Sequence, residues 1–187
     1  QSNTIGRSLA IQSDNLTGYN WTHLSILEKL FLVRRLPAWH SNRNKRLVKT
    51  PKIHLCDSGL AAALSELRPE LWNEERKRFG HLLESFVVQQ LTAMGTWHDG
   101  EPRFYHYRDK DQVEVDLVIE LGSGVWGVEV KAAASMRSKD SKGLRRLVET
   151  AKTKFRGGLV LYDGDAVLPI DKDLNIHAVP LAKLWEL

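Results

Sequence analysis

Apolar residues recur at close to helical spacing from Trp21 to Val33, at Trp21, Leu24, Leu27, Leu30 and Phe31, and predict an amphipathic helix that Leu36-Pro37 closes. The stretch from Trp39 to Thr50 is basic, with Arg43, Lys45, Arg46 and Lys49. Its Leu47-Val48 suggests a short strand, so the region reads as a helix followed by a hairpin wing. Ile53 to Cys56 has the pattern of a short buried strand. Asp57 then stands where an N-cap belongs, ahead of a helix through Gly59 to Leu64 that Arg68-Pro69 closes. A longer helix is expected from about Trp72 to Met94. Its core stripe, with Phe79, Leu83, Phe86, Val87 and Leu91, is interrupted by one acid, Glu84, and Gly95 is its stop.

Beyond Gly95 the period changes to two. Phe104 to Tyr107, Val113 to Ile119 and Val125 to Lys131 alternate, and the links Asp109 to Gln112 and Gly122 to Gly124 carry turn residues at hairpin length. Three strands in an antiparallel meander follow from this. A helix from about Ser138 to Lys154 precedes the apolar strand Gly158 to Tyr162, and a strand reached by a helical crossover pairs parallel to a neighbour. The tail adds Val167-Leu168-Pro169, a strand near Ile176 to Val179 and a short helix ending at Trp185. The expected fold class is therefore α/β, an αβββαβ core with a mixed central sheet. Residues 1–50 form an accessory region or linker ahead of a main domain at 51–187.

Strand alternation places Val113, Val115, Leu117 and Ile119 on one face and Glu114, Asp116, Val118 and Glu120 on the other. In the next strand Glu129 and Lys131 share a face. Pairing outward from a three-residue turn brings Asp116 and Glu129 to within about a residue of opposite. Two carboxylates with open positions suit Mg2+ or Mn2+, which keep several waters and take a substrate phosphate. A metal held by Asp116 and Glu129 polarises a phosphoryl oxygen, and Lys131 beside it orients the nucleophile or offsets developing charge. Glu84 shares its helical face with Val87, Val88 and Leu91, so it points toward the sheet and needs a cation or base as partner.

Composition narrows the setting. The 187-residue chain carries a formal net charge of +4, which is compatible with a polyanionic partner such as DNA. The single cysteine, Cys56, excludes an intrachain disulfide and points to a buried thiol in a reduced, cytoplasmic setting. No apolar run approaches the roughly 18–20 residues that span a bilayer, so no membrane partner is expected. The seven histidines show no zinc-site spacing. Trp72, Trp97, Trp126 and Trp185 are expected in the core or at domain contacts, because basic residues do not interleave with them.

The order helix, meander, helix, strand, with Glu84, Asp116 and Glu129-Val130-Lys131, resembles the PD-(D/E)XK nuclease superfamily in its restriction-endonuclease-like and Holliday-junction-resolvase-like forms. Further motifs are similar to the C-terminal domain of prokaryotic AAA-type ATPases: Arg46 to Lys52, Cys56-Asp57-Ser58-Gly59-Leu60, Phe79 to Val87, Val128 to Lys131, and Leu161-Tyr162-Asp163-Gly164. That resemblance implies a P-loop ATPase module, a winged helix and then a nuclease-like domain. Residues 1–50 would be part of the winged helix. The chain has no G-x-x-x-x-G-K-[ST] segment, so ATP hydrolysis is assigned to the attached module.

Two functions follow as expectations. In the first the chain is a magnesium-dependent DNA phosphodiesterase under control of the ATPase, with Glu84, Asp116, Glu129 and Lys131 as catalytic residues and Asp116 and Glu129 as metal ligands. In the second it is a catalytically inactive DNA-binding or protein-docking domain of that ATPase. Its phosphate contacts then come from Arg43 to Lys52 and from Arg137, Lys139, Lys142, Arg145 and Arg146.

Overall fold

The computed structural model describes residues 18–46 and 50–186, so the strand expected at Leu47-Val48 lies outside the described residues. The main body is a six-stranded mixed sheet in the order β3-β4-β5-β6-β8-β7. Its strands are β3 (Arg103–Arg108), β4 (Glu114–Leu121), β5 (Gly124–Lys131), β6 (Phe155–Tyr162), β7 (Leu168–Asp171) and β8 (Ile176–Pro180). The meander β3-β4-β5 is antiparallel, β5-β6 and β6-β8 are parallel, and β7 returns antiparallel to β8. One helix covers each face. Helix α3 (Arg76–Gly95) packs Val87 and Val88 onto Leu117, Val128, Val130 and Leu161, whereas α4 (Lys142–Ala151) packs Leu144 and Leu147 onto Val115, Val118, Val125 and Val160. Each fully buried side chain of this kind contributes roughly 1.5–3 kcal/mol.

A smaller unit precedes this body. It comprises α1 (Gly18–Lys29), the antiparallel pair β1 (Val33–Leu36) and β2 (Lys52–Leu55), and α2 (Ser58–Leu64), which Asp57 caps by accepting from the Leu60 amide at 2.6 Å. The β1–β2 pairing joins residues on either side of position 50. The helix expected to reach Val33 stops at Lys29. Phe31 takes φ +58°, and the Phe31 and Leu32 amides donate back to the Glu28 and Leu27 carbonyls, both at 3.0 Å. This is a Schellman stop formed without glycine, and the apolar pattern carries on through it into β1.

Three further expectations are corrected. The long helix begins at Arg76 rather than Trp72, because the Leu71 carbonyl accepts from the Glu74 and Glu75 amides and closes a separate turn first. The β4–β5 turn has two residues, Gly122-Ser123, with Gly122 at φ +58° in the first central position, where the strand twist favours glycine. The even alternation along β4 also fails. Tyr107 pairs with Val115 but Tyr105 with Val118, so Asp116 and Leu117 together face His106 in a bulge. Val115 and Val118 therefore both join the α4 layer, while Leu117 joins the α3 layer.

The segment Pro37 to Trp39 lies against β3 at that bulge. The His106 amide donates to the Pro37 carbonyl at 2.9 Å, the Trp39 amide donates to the His106 carbonyl, and Ala38 bridges His106. Trp39 is buried, whereas Trp97 is 84% exposed and Trp185 58% exposed with its ring against Phe86, so neither of these two lies in the core. Cys56 is half-buried rather than buried. No described helix is long and apolar enough to cross a membrane.

Gly143, at the start of α4, allows the helix to approach the end of the meander. A Cβ there would overlap the Glu114 carbonyl oxygen and the Glu129 carboxylate, whereas a Cβ at Gly80 in α3 meets nothing within 4 Å. Gly143→Ala is therefore expected to cost about 1–3 kcal/mol through overpacking. Gly80→Ala is expected to add about 0.5–1 kcal/mol through helix propensity and lost unfolded-state freedom. Urea unfolding of both variants checks the contrast.

Candidate functional site

The site lies where β4 and β5 leave their ladder. The last paired residues are Leu117 and Val128, and one step further in the same register Asp116 falls opposite Glu129. Here a side chain replaces the ladder, for the Val130 amide donates to Asp116 Oδ2 at 2.8 Å. Lys131 folds back along its own strand and donates to Glu129 Oε2 at 2.7 Å. Asp116, Glu129 and Lys131 thus form one connected set at the end of two neighbouring strands.

Glu84 enters from α3 and joins that set through Lys52, a residue that the local sequence pattern does not single out. Lys52, the first residue of β2, places its Nζ 2.9 Å from Glu84 Oε1, 3.0 Å from Glu114 Oε2 and 3.7 Å from Asp116 Oδ1. In the sequence Lys52 reads as one more residue of the basic stretch, and Glu114 shares the Asp116 face without a role. Glu114 also pairs with Arg108 at 3.2 Å. His81, one helical turn before Glu84, stands 3.8 Å from Glu84 Oε2. A helical i, i+3 spacing from Glu84 was the available signal for His81. Lys52 had no local signal.

The electrostatics divide the carboxylates into two kinds. Burial works against the charged form of Glu84, yet the flanking cations hold its pKa down to about 2. Of these, Lys52 makes a contact of hydrogen-bond length and His81 does not. Burial also disfavours the Lys52 ammonium, but Glu84, Asp116 and Glu114 outweigh that and raise its pKa. Asp116 and Glu129 behave oppositely. Burial pushes both up, and the nearby charge of Glu84 on Asp116 and of Asp116 on Glu129 adds to it; the lysines only partly offset the rise. The pair titrates as a unit, with one proton held more tightly than a lone carboxylate would hold it.

Charge accounting gives the same result. Glu84, Glu114, Asp116 and Glu129 face Lys52, Lys131 and Arg108, which leaves one negative charge in excess whenever His81 is neutral. Either a proton or an added cation can neutralise it. Among the described residues, no three His, Cys, Asp or Glu side chains form a ready-made metal cage. Asp116 and Glu129 are the two neighbouring carboxylates that could hold a hydrated divalent cation, since such an ion takes few protein ligands and keeps several waters.

Several of the other basic residues are engaged within the fold. Arg46 pairs with Glu120 at 2.7 Å and lies over the rings of Trp39 and Tyr105. Arg145 pairs with Asp171, and Arg146 with Asp109, Asp111 and Glu149.

Raised carboxylates make stability pH-dependent with a definite sign. Folded Asp116 and Glu129 keep protons that the unfolded chain has released, so stability falls as pH rises through their folded pKa values, up to about 8 for Glu129. His54 and His106, lowered by burial to about 4, act in the opposite sense, but only below their ordinary value of 6.5. Between pH 6.5 and about 8 the stability of the chain is therefore expected to decline, and Glu129→Gln is expected to flatten that decline. Urea midpoints at the two ends of this range, for both proteins, measure it.

Comparison with known proteins gives the chain its relatives. An uncharacterized protein of Mycobacterium tuberculosis and one of Mycobacterium bovis are each 30% identical to it over 177 residues, which cover 94% of this chain and 37% of each relative. The chain thus spans little more than a third of the relatives' length. No solved structure matches it. Residues 1–71, which contain Lys52, match a domain of unknown function, DUF8612. Residues 79–184, which contain Glu84, Glu114, Asp116, Glu129 and Lys131, match a second, DUF4143, and the chain belongs to that family.

Proposed function

We propose that this chain is the nuclease-like part of a longer AAA-type ATPase protein, with a restriction-endonuclease-like core that acts as a magnesium-dependent DNA phosphodiesterase. The observation that carries the reading is the placement of Asp116 opposite Glu129, in a cluster with one negative charge in excess and a lysine on the second acid. The relatives extend well beyond the matched segment, which leaves room for an ATPase module elsewhere in the protein. Asp116 and Glu129 would hold Mg2+ or Mn2+, and a cation so bound supplies Lewis acidity toward a phosphoryl oxygen and lowers the pKa of water. Lys131 is placed to orient the attacking water or to meet a phosphate oxygen. Glu84 acts at one remove, fixing Lys52 against Asp116.

A second reading has one observation in its favour. Lys52 already supplies positive charge among Glu84, Glu114 and Asp116, as a residue retained for structure alone would. In that case the chain is a catalytically inactive DNA-binding or docking domain of the ATPase protein.

Nicking of supercoiled, branched and single-stranded DNA separates the two. The nuclease reading expects cleavage that needs Mg2+ or Mn2+ and drops by about 100-fold or more in Asp116→Ala and in Lys131→Ala. Cleavage that is absent, or indifferent to metal, in all three proteins ends that reading. Salt-dependent DNA binding that survives both substitutions supports the second.

A further inference from the structure

We propose that Lys52 is a tethered cation that keeps the acidic site closed to a divalent metal, and that a metal enters by displacing the Lys52 ammonium group. The inference rests on the metal-binding reading of Asp116 and Glu129 and adds a control to it.

Three observations carry it. The first is position: the Lys52 ammonium touches carboxylates from two different elements, Glu84 on α3 and Glu114 and Asp116 on β4, and is itself largely buried. An ammonium in that place blocks approach to Asp116 from the α3 side and repels a second cation. The second is charge. With Lys52 seated and His81 neutral, the four carboxylates exceed their cationic partners by one, whereas exchange of Lys52 for a divalent ion would balance Glu84, Glu114, Asp116 and Glu129 against Lys131, Arg108 and the metal. The exchange is thus electrically favourable, and no proton is needed to neutralise the cluster.

The third is connectivity. Lys52 begins β2, and β2 is anchored to α3 by other contacts: His54 Nδ1 lies 3.0 Å from Ser85 Oγ, and Gln89 Nε2 donates to the Leu55 carbonyl at 3.2 Å. The flexible four-carbon stem of lysine can leave the cluster while the strand stays docked. Lys52 sits in the segment matched by the first family and its partner acids in the segment matched by the second, so the contact joins the two matched segments.

Two measurements on the 187-residue chain test this. Calorimetric titration with Mn2+ at near-neutral pH compares wild type, Lys52→Met and the double variant Lys52→Met/Asp116→Asn. The expected result is binding about tenfold tighter or more in Lys52→Met, with the gain abolished in the double variant. Equal or weaker binding in a folded Lys52→Met overturns the proposal and leaves the metal reading standing. Absence of binding in both folded proteins overturns the two together.

Removal of Lys52 strips Glu84 of its partner and threatens folding of the variant, so the second measurement uses wild type alone. Lysines are acylated with an amine-reactive ester with and without saturating Mn2+ and quantified by peptide mass spectrometry. Labelling of Lys52 is expected to rise several-fold with metal, while that of exposed Lys77 stays constant. Unchanged Lys52 labelling at saturation overturns the displacement. Failure to cut DNA, with both of these results intact, would remove only the nuclease reading.

Discussion

A single ammonium group ties the parts of this protein together. The Lys52 Nζ reaches acids on α3 and on β4 from a strand that belongs to a different sheet. Each of these ions pays a desolvation penalty on burial, which the opposite charges at close range offset in part. Taking one member away would leave the others as isolated charges in a poorly solvated place. The packing of the N-terminal unit, the direction of Glu84 and the state of Asp116 are therefore parts of one electrostatic problem. Asp116 and Glu129 are what it leaves unresolved, since the available cations satisfy Glu84 more fully than the pair beyond it.

Much of the architecture was legible in the chain because strands and helices impose periods of two and 3.6 on side-chain character. The meander, its two helices and the parallel strand β6 all follow from those periods, and the hairpin turn put Asp116 near Glu129. What escaped were breaks in period. The Phe31 stop has no glycine or proline at the critical residue, so a continuous apolar pattern hid the change from helix to strand. The bulge at Asp116-Leu117 depends on how β3 meets β4, and nothing within β4 announces it. Such a shift is common beside sites, where it re-aims a side chain.

Lys52 escaped for a different reason. Its partners lie 32, 62 and 64 positions away, at Glu84, Glu114 and Asp116, and a lysine in a basic stretch is normally solvated. Local pattern can say that an inward-facing Glu84 needs a cation. It cannot say which of the chain's 27 lysines and arginines supplies it. Long-range ion pairs of this kind are set by how two units dock, and docking is decided by shape and residual charge after each unit has formed.

The strip Pro37 to Trp39 against β3 has a consequence for how anything else can approach the sheet. An uncovered edge strand offers a ladder of amides and carbonyls to any extended peptide. Here that strip bridges one edge at His106, and the opposite edge is β7, four residues long with Pro169 inside it. Proline donates nothing to a neighbour, and a strand this short makes a poor template. A partner therefore gains little by extending this sheet. The ends of the strands, where Asp116 and Lys131 lie, offer side chains instead of an open backbone ladder.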